Sequence, residues 1–498
     1  MKKTTTLIIS LFLSCSIILC SCTKTQPTAT TDSPSPKQTV TINKAAEPSE
    51  YNINVKLTPE KRELVGEEKV KYTNKSASEL KEVYFHIYPN AYKNEATAPT
   101  AFVGIKDMYP NGFNPGSLDI KEVKNGDSKL KYETQGEDQT ILKVILPKAI
   151  NSGESVDLSI DFSVIIPEAS DRFGVLDNCF NFGNWYPIAA VLDETGWNLD
   201  PYYKIGDPFY SDASNYAVNI TVPKDYKVAA TGEPADEKLN GNEKTYTFKE
   251  NKVRDFAFVT SNKFTVQEKV VDDINVRCFF LTDNKENNAI AMMAAENSIK
   301  KFNEAFGKYP YKNFSVVETN FGTGMEYPEL VYIGKQYYTS TNQIPTLEVV
   351  IVHETAHQWW YSAVGNDEID EAWLDESFAT YSEGAYFEKK NNSKAYFDNI
   401  VRSYTGSERS IKGSKVVLRP VSKFQGWNDY GPLVYRKGAS MLCDLRNEVG
   451  DEAFSKILKT YYEKYKFKNA KTKDFIAVVE EVTGKKWDKF FDKWLLDK

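Results

Sequence analysis

Two patterns of apolar and polar positions divide the chain. Up to about Thr265, apolar residues alternate with polar ones, as in Tyr51–Leu57 and Tyr216–Val222, and turn residues separate these runs. A period of two is typical of β-strands that bury one face. From Val266 onward, apolar residues recur at helical spacing, first over Ala289–Phe306. The two patterns indicate a strand-rich part followed by a helical part.

The chain has 498 residues, too many for a single hydrophobic core. We therefore predict a multidomain α+β protein, with an N-terminal all-β domain over 51–265 and a mainly helical domain over 266–498. One strand-like stretch, Phe314–Glu318, interrupts the helical pattern. Later segments with apolar residues at helical spacing are Asp451–Tyr465, Thr472–Thr483 and Trp487–Leu496.

The first fifty residues follow neither pattern. Lys2-Lys3 precede the apolar stretch Leu7–Leu19, which is short for a membrane span. The segment Leu19-Cys20-Ser21-Cys22 resembles a bacterial lipobox with Cys22 as the lipidated thiol. This predicts a lipoprotein signal peptide over 1–22 and an extracytoplasmic protein anchored to the bacterial cell membrane; a plain secretory peptide is the alternative. Residues 23–50 are rich in Thr, Ser, Pro and Lys, which predicts a disordered tether.

Composition and charge narrow the function classes. Hydrophobic residues make up 41% of the chain, with 30 Tyr and 28 Phe, as in a globular protein. The formal net charge of -7 supplies no basic field for nucleic acid, so we expect no nucleic-acid partner. Cys179, Cys278 and Cys443 each lie among apolar or aromatic neighbours, and we expect buried free thiols there.

A metal-binding motif supplies the first chemistry. Of three histidines in the chain, His353 and His357 stand four apart in HETAH, and Glu376 follows 19 positions later. Positions i and i+4 share a helix face, so both imidazoles can reach one ion while Glu354 faces its open side. Such a motif also arises by chance in helices that bind nothing, but two imidazoles and one carboxylate are typical of catalytic zinc. We predict that each chain binds one Zn²⁺. The third histidine, His86, is expected to be a core or edge residue of the strand-rich part rather than a ligand.

The motifs together resemble those of a known family. HETAHQWW, WLDESFATY, the upstream GMEYP and the downstream Tyr-Arg-Lys-Gly are similar to motifs of the M1 family of zinc aminopeptidases. That resemblance implies a thermolysin-like catalytic domain preceded by a β-rich domain. It also implies a zinc-dependent metallopeptidase that removes N-terminal residues from peptides. Several members carry a further C-terminal helical domain, and this chain resembles a short form without it.

The resemblance assigns roles to residues at the site. A zinc-activated water attacks the scissile carbonyl, Glu354 acts as the general base, and the Tyr435 hydroxyl stabilises the oxyanion. Glu326 matches the glutamate that binds the substrate's free N-terminus. The substrate-binding residues implied in this way are Gly324, Met325, Glu326 and Tyr430.

Two other functions stay open. Thr323 and Tyr327 stand where the family has glycine and asparagine, and the expected short form lacks a domain that often closes the cleft. A zinc endopeptidase of the same fold would also fit these departures. A surface lipoprotein that binds without catalysis is a third reading, against which the complete set of ligands, base and tyrosine argues.

Supporting residues are harder to assign from sequence. Glu383 lies one heptad beyond Glu376 on the same helix face, where it either holds a ligand imidazole or is a solvated charge. For Asp375 we expect a solvated helix charge. A second amine-binding residue normally comes from the β domain, and nothing around 178–193 matches it.

Overall fold

The computed structural model describes residues 40–42, 47–100, 104–339 and 344–498. These residues belong to one compact unit, Thr39–Lys498. The expected signal peptide, the lipidation residue Cys22 and most of the expected tether lie outside the described residues. No helix in the described part combines the length and apolar character needed to span a membrane.

The first part is built from strands, as the alternating pattern predicts. In β1 (Glu50–Thr58) every second side chain is buried, because successive side chains point to opposite faces. The elements that follow are β2 (Glu63–Thr73), β3 (Leu80–His86), the short helix α1 (Ile105–Met108), β4 (Ser117–Asn125), β5 (Ser128–Lys129), β6 (Tyr132–Gln135), β7 (Ile141–Ile150), β8 (Ser155–Ile165), β9 (Phe173–Leu176), β10 (Cys179–Phe182), β11 (Ile188–Ala189), β12 (Leu192–Asp193), β13 (Gly196–Trp197), β14 (Ser214–Pro223), β15 (Lys227–Ala230), β16 (Glu233–Asn240), β17 (Glu243–Val253) and β18 (Phe258–Ser261).

These strands form layered sheets. The largest has eight strands in the order β16-β17-β14-β1-β2-β8-β4-β5, and two four-stranded sheets have the orders β15-β18-β10-β9 and β11-β3-β7-β6. In the large sheet β1 runs parallel to β14 and antiparallel to β2. The loop between β13 and β14, residues 198–213, leaves the sheets and carries Asp207.

The second part opens with a sheet that the sequence revealed only in part. Its strands are β19 (Thr265–Val271), β20 (Ile274–Phe280), β21 (Asn313–Thr319), β22 (Gly324–Met325) and β23 (Leu330–Gly334), in the order β19-β20-β21-β23-β22. The predicted strand Phe314–Glu318 lies in β21. Because β21 and β23 are buried throughout, they lack the alternation that marks a half-exposed strand.

Helices make up most of the remainder, which confirms the expected change of character. Between β20 and β21 lies α2 (Lys285–Phe306), which contains the predicted helix Ala289–Phe306. Then follow α3 (Gln336–Thr339), α4 (Ile344–Ala356), β24 (Val364–Gly365), α5 (Trp373–Asn391), α6 (Ala395–Glu408), α7 (Trp427–Tyr430), a π-helical segment (Gly431–Lys437), α8 (Gly438–Val449), α9 (Asp451–Tyr465), β25 (Lys468–Asn469), α10 (Thr472–Thr483) and α11 (Asp488–Leu495).

A buried arginine joins the strand-rich and helical parts. Arg254, after β17, is 1% exposed. Its guanidinium donates to Ser211 O at 2.9 Å, to Asn469 Oδ1 at 2.5 Å and to Ser362 O at 3.3 Å. Because guanidinium donors are rigidly arranged, one side chain fixes three segments. The loop that carries Asp207 is thereby held against the segment that follows α4.

Candidate active site

The three residues predicted to bind zinc lie together where α4 ends and α5 begins. His353, His357 and Glu376 each offer one ligand atom, and these atoms all lie within 4.8 Å of one another. Glu376 Oε2 is 3.1 Å from His353 Nε2 and 3.5 Å from His357 Nε2. His357 follows the last residue of α4, and its N–H donates to His353 O at 3.4 Å. The helical turn thus continues far enough to place both imidazoles on one side.

A carboxylate holds the other ring nitrogen of each histidine. His353 Nδ1 is 2.7 Å from Glu383 Oε1, and His357 Nδ1 is hydrogen-bonded to Asp375 Oδ1. Such bonds fix the ring orientation and leave Nε2 of each ring facing Glu376. The expectation of a solvated Asp375 is wrong, because this side chain is 1% exposed. The start of α5 is buried on all sides, which its local charge pattern does not reveal.

Removing the carboxylate behind His357 is expected to weaken metal binding. In Asp375→Ala the His357 ring loses its carboxylate partner and keeps only the weaker carbonyl acceptor Trp360 O at 3.1 Å, so zinc affinity should fall by about 10- to 100-fold. Titration against a competing chelator measures the change. Asp398→Ala, which removes an exposed acid on α6, is the matched control. An unchanged affinity for Asp375→Ala would mean that this carboxylate does not orient the ligand.

The charges around the three ligand atoms suit a divalent cation. Burial alone would lower the pKa of His353, but its bonds to Glu376 and Glu383 outweigh burial and raise the pKa to about 10. Burial alone would raise the pKa of Glu376, but its bonds to the two histidines lower it. The raised pKa of His353 and the lowered pKa of Glu376 both mean that the carboxylates here favour a positive charge beside them. Two nitrogen ligands and one carboxylate oxygen in a buried setting fit zinc.

Glu354 lies next to this cluster and is 6% exposed. Burial raises its pKa to about 7, while the nearby His353 and His357 oppose that shift. A carboxyl group with a pKa near neutrality exchanges protons readily at physiological pH. Gly324 gives it room, since a Cβ at this position would overlap the Glu354 carboxylate. The predicted substrate-binding glycine is therefore also a packing requirement of the predicted base.

Tyr435 approaches the cluster from the π-helical segment. Its hydroxyl donates to Glu376 Oε1, and its ring lies parallel to that of His353 with centroids 5.8 Å apart. Burial, followed by the nearby Glu376, raises the Tyr435 pKa well above its ordinary value, so the hydroxyl keeps its proton. π-Helical turns often mark functional sites, because they displace a side chain from its regular helical position.

A second acidic cluster borders the ligands. Carboxylate oxygens of Asp207, Glu326 and Glu376 lie within 4.8 Å of one another. Burial raises the pKa of Asp207 to about 7, although the ion pair with Arg172 opposes it. Burial, and then the proximity of Asp207, raises the pKa of Glu326, whose Oε1 has no hydrogen-bond partner among the described residues. Two adjacent buried carboxylates, one of them with an unpaired acceptor on Glu326, fit a positively charged ligand group.

Sequence reasoning did not find Asp207. It lies in the loop 198–213, beyond the region where a second amine-binding residue was sought, and no motif surrounds it. A buried acid in a loop resembles any solvated loop acid until the fold brings it to Glu326. No signal in this single sequence could have singled it out.

The other predicted residues lie around this acidic cluster. Met325, with Gly324, forms the edge strand β22, and its Sδ is 3.0 Å from Arg172 Nε. Tyr430 is 1% exposed, and its ring centroid lies 6.0 Å from that of Tyr435. Tyr327, which departs from the family motif, donates its hydroxyl to Asn184 Oδ1 in the strand-rich part at 3.0 Å.

Residues outside the site behave as expected. His86 lies in β3 and is 3% exposed. It belongs to none of the possible metal-binding groups among the described residues, and its ring stacks on that of Tyr88 with centroids 4.7 Å apart. Burial lowers the pKa of His86 to about 4. Cys179, Cys278 and Cys443 are buried free thiols.

Comparison with known sequences identifies the helical part. Residues 290–494 match the model of the peptidase family M1 domain. The chain is 23% identical over 300 residues to aminopeptidase M1 of Arabidopsis thaliana and 30% identical over 206 residues to aminopeptidase N of Streptomyces lividans. The alignments cover 57% and 39% of this chain but 34% and 24% of those relatives. The chain thus spans about a third or less of the curated relatives it matches.

A solved structure matches over nearly the whole fold. The M1 zinc metallopeptidase from Deinococcus radiodurans superposes with a TM-score of 0.63 and 18% identity, covering 91% of this chain and 95% of that one. A mutant of that protein was solved with a Tyr-Ser-Ala substrate. The likeness confirms the predicted α+β architecture, a strand-rich part followed by a helical part.

Proposed function

We propose that the chain, whose residues 290–494 match the peptidase family M1 domain, is a zinc-dependent aminopeptidase, which removes residues from the free N-terminus of peptides. The observation that carries the proposal is the pair Asp207 and Glu326 beside the ligand Glu376. An ammonium group placed between these carboxylates balances their charge and gives Glu326 Oε1 the donor that it lacks. The first residue of a peptide carries such a group next to the bond to be cleaved.

The protein's own residues supply binding and proton transfer. Asp207 and Glu326 hold the substrate ammonium, which positions the first carbonyl near His353, His357 and Glu376. These three residues would hold a zinc ion, which would supply Lewis acidity at the carbonyl and at the water. Glu354 takes a proton from the attacking water and passes it to the leaving amine. The Tyr435 hydroxyl leaves Glu376 and donates to the oxyanion that develops.

An endopeptidase of the same fold is the second candidate. Such an enzyme has to accommodate peptide on both sides of the scissile bond. Here Asp207 and Glu326 are 5% and 3% exposed, and the buried Arg172 forms an ion pair with Asp207. Buried acids of this kind favour a first residue with a free amine over a continuing chain.

Blocking the substrate amine is expected to abolish most activity. A peptide with a free N-terminus should be cleaved with a kcat/KM about 100-fold above that of its acetylated form, because burying an unpaired carboxylate costs about 2–5 kcal/mol. Liquid chromatography of the products measures both rates. Glu326→Gln should raise KM for the free peptide and narrow the difference. Equal cleavage of both peptides would contradict the aminopeptidase proposal and favour the endopeptidase.

We also propose that Cys22 carries a lipid that anchors the protein outside the cytoplasmic membrane. The lipobox-like Leu19-Cys20-Ser21-Cys22 after an apolar leader supports this. Metabolic labelling with a radioactive fatty acid tests it. Label retained in Cys22→Ala would place the anchor elsewhere.

A further inference from the structure

A cleft borders Tyr435. It has a volume of about 700 Å³, and residues that line it include Tyr435, Trp427, Gln425, Ser407, Arg436 and Lys412. The Tyr435 hydroxyl bonds Glu376 while the same residue lines the cleft. One side chain therefore joins the ligand cluster to this open space.

The cleft carries unbalanced positive charge. Arg436 and Lys412 are exposed, and neither forms an ion pair within the described part of the chain. The acid among the lining residues, Asp429, is buried and bonded to Arg419 at 2.9 Å. It also accepts backbone N–H groups, one of them from Gln425 at 3.0 Å. Asp429 is thus neutralised, and the two cations are left for a ligand.

The two ends of the site have opposite charge. Asp207, Glu326, Glu354 and Glu376 crowd the inner end and are buried, whereas the exposed Arg436 and Lys412 line the outer cleft. A peptide with free termini has the complementary polarity, with an ammonium at one end and a carboxylate at the other. Complementary charge of this kind orients a ligand and raises its specificity.

The cleft also has an exposed aromatic surface next to Tyr435. Trp427 is 47% exposed, and its ring centroid is 5.4 Å from that of Tyr435 at an interplanar angle of 66°. Large aromatic side chains at a binding surface offer apolar area at low entropic cost. The residue that follows the scissile bond would pass Tyr435 and meet this indole.

We propose that the cleft receives the part of the substrate that follows the scissile bond, and that Arg436 and Lys412 bind its terminal carboxylate. Short peptides with both termini free are then the preferred substrates. The inference rests on the proposed aminopeptidase function and narrows its substrate class. Asp207 and Glu326, which would hold the first residue, are buried, whereas the cleft beside Tyr435 is open, so the remaining residues of the substrate would extend into the cleft.

Binding to an inactivated enzyme tests the proposal directly. Zinc-loaded Glu354→Gln is titrated by calorimetry with peptides of three to six residues, a leucine followed by alanines, each as free acid and as C-terminal amide. At the length that reaches the cations, the acid should bind about fivefold tighter than the amide, the range of exposed ion pairs. The difference should shrink as salt is raised.

Charge-removing variants locate the contact. Adding Arg436→Gln and Lys412→Gln to the inactivated enzyme should make acid and amide bind alike. Arg402→Gln, which removes an exposed cation of α6 that bonds to Asn399 rather than lining the cleft, should preserve the preference. A preference that persists in the double variant would overturn the assignment to these two residues.

Turnover by the unaltered enzyme separates the two proposals. An aminoacyl reporter substrate has no residues beyond the scissile bond, so its hydrolysis reports the aminopeptidase function alone. Reporter hydrolysis together with equal affinity for acid and amide at every length would overturn the cleft proposal only. A clear carboxylate preference in binding without hydrolysis of reporter or peptide would overturn the aminopeptidase proposal and leave only the carboxylate contact of Arg436 and Lys412.

Discussion

Glu354→Gln is expected to lower kcat by about 10²- to 10⁴-fold, the contribution of a well-placed general base. Glutamine has nearly the same shape, so it still fits against Gly324, but it cannot accept the proton of the attacking water. Zinc content and KM should change little, because Glu354 is not one of the three clustered ligands. Steady-state kinetics with a free peptide and metal analysis of the same sample measure both.

A neighbouring glutamate provides the control. Glu348 lies on the same helix, α4, and its carboxylate bonds to Tyr386 at 2.7 Å and to Lys390 at 2.6 Å. Glu348→Gln should cost stability rather than kcat. If Glu354→Gln kept the rate of the unaltered enzyme, the assignment of Glu354 as the base would be wrong.

Removal of the metal is expected to abolish hydrolysis. Dialysis against a chelator should lower kcat/KM by about 10³-fold or more, since a catalytic metal supplies several kcal/mol of charge stabilisation. Added zinc should restore the rate. The melting temperature should fall as well, because the buried Glu376, Glu326 and Asp207 lose a compensating charge. His357→Ala should show both effects and should not recover on addition of zinc.

A variant of the third histidine, His86, serves as the control for His357→Ala. His86 accounts for the remaining imidazole of the chain, and its Nε2 lies 3.1 Å from Asn198 O in the strand-rich part. His86→Ala should lower stability but keep one zinc per chain, as measured by atomic absorption. Loss of zinc from His86→Ala, or its retention in His357→Ala, would contradict the assigned ligand set.

The part of the site that the sequence revealed is the part with local geometry. His353 and His357 share a helix face because of the helical repeat, and the same repeat places Glu383 on one face with Glu376. Once α4 packs against α5, Glu383 reaches His353 and forms the hydrogen bond. No contact with a more distant segment is needed.

The positions of Asp375 and Asp207 in the site could not be predicted from the helical repeat. Asp375 differs from a solvated helix charge only through its burial beneath His357, which depends on how α4 and α5 pack. Asp207 reaches Glu326 because Arg254 fixes the loop before β14 against the segment after α4. Contacts between segments so distant in sequence leave no trace in local periodicity.

The domain boundary at about Thr265 stays a prediction, although the strand β19 begins at that residue. By itself, the sequence determined the order of strand-rich and helical parts and predicted the three metal ligands, the base and the tyrosine, because periodicity and motif spacing are short-range properties of the backbone. Tertiary structure alone decided which acids lie together beside Glu376 and which cations line the cleft beside Tyr435. Both depend on burial and on loops brought together by folding, and therefore on contacts that no local pattern encodes.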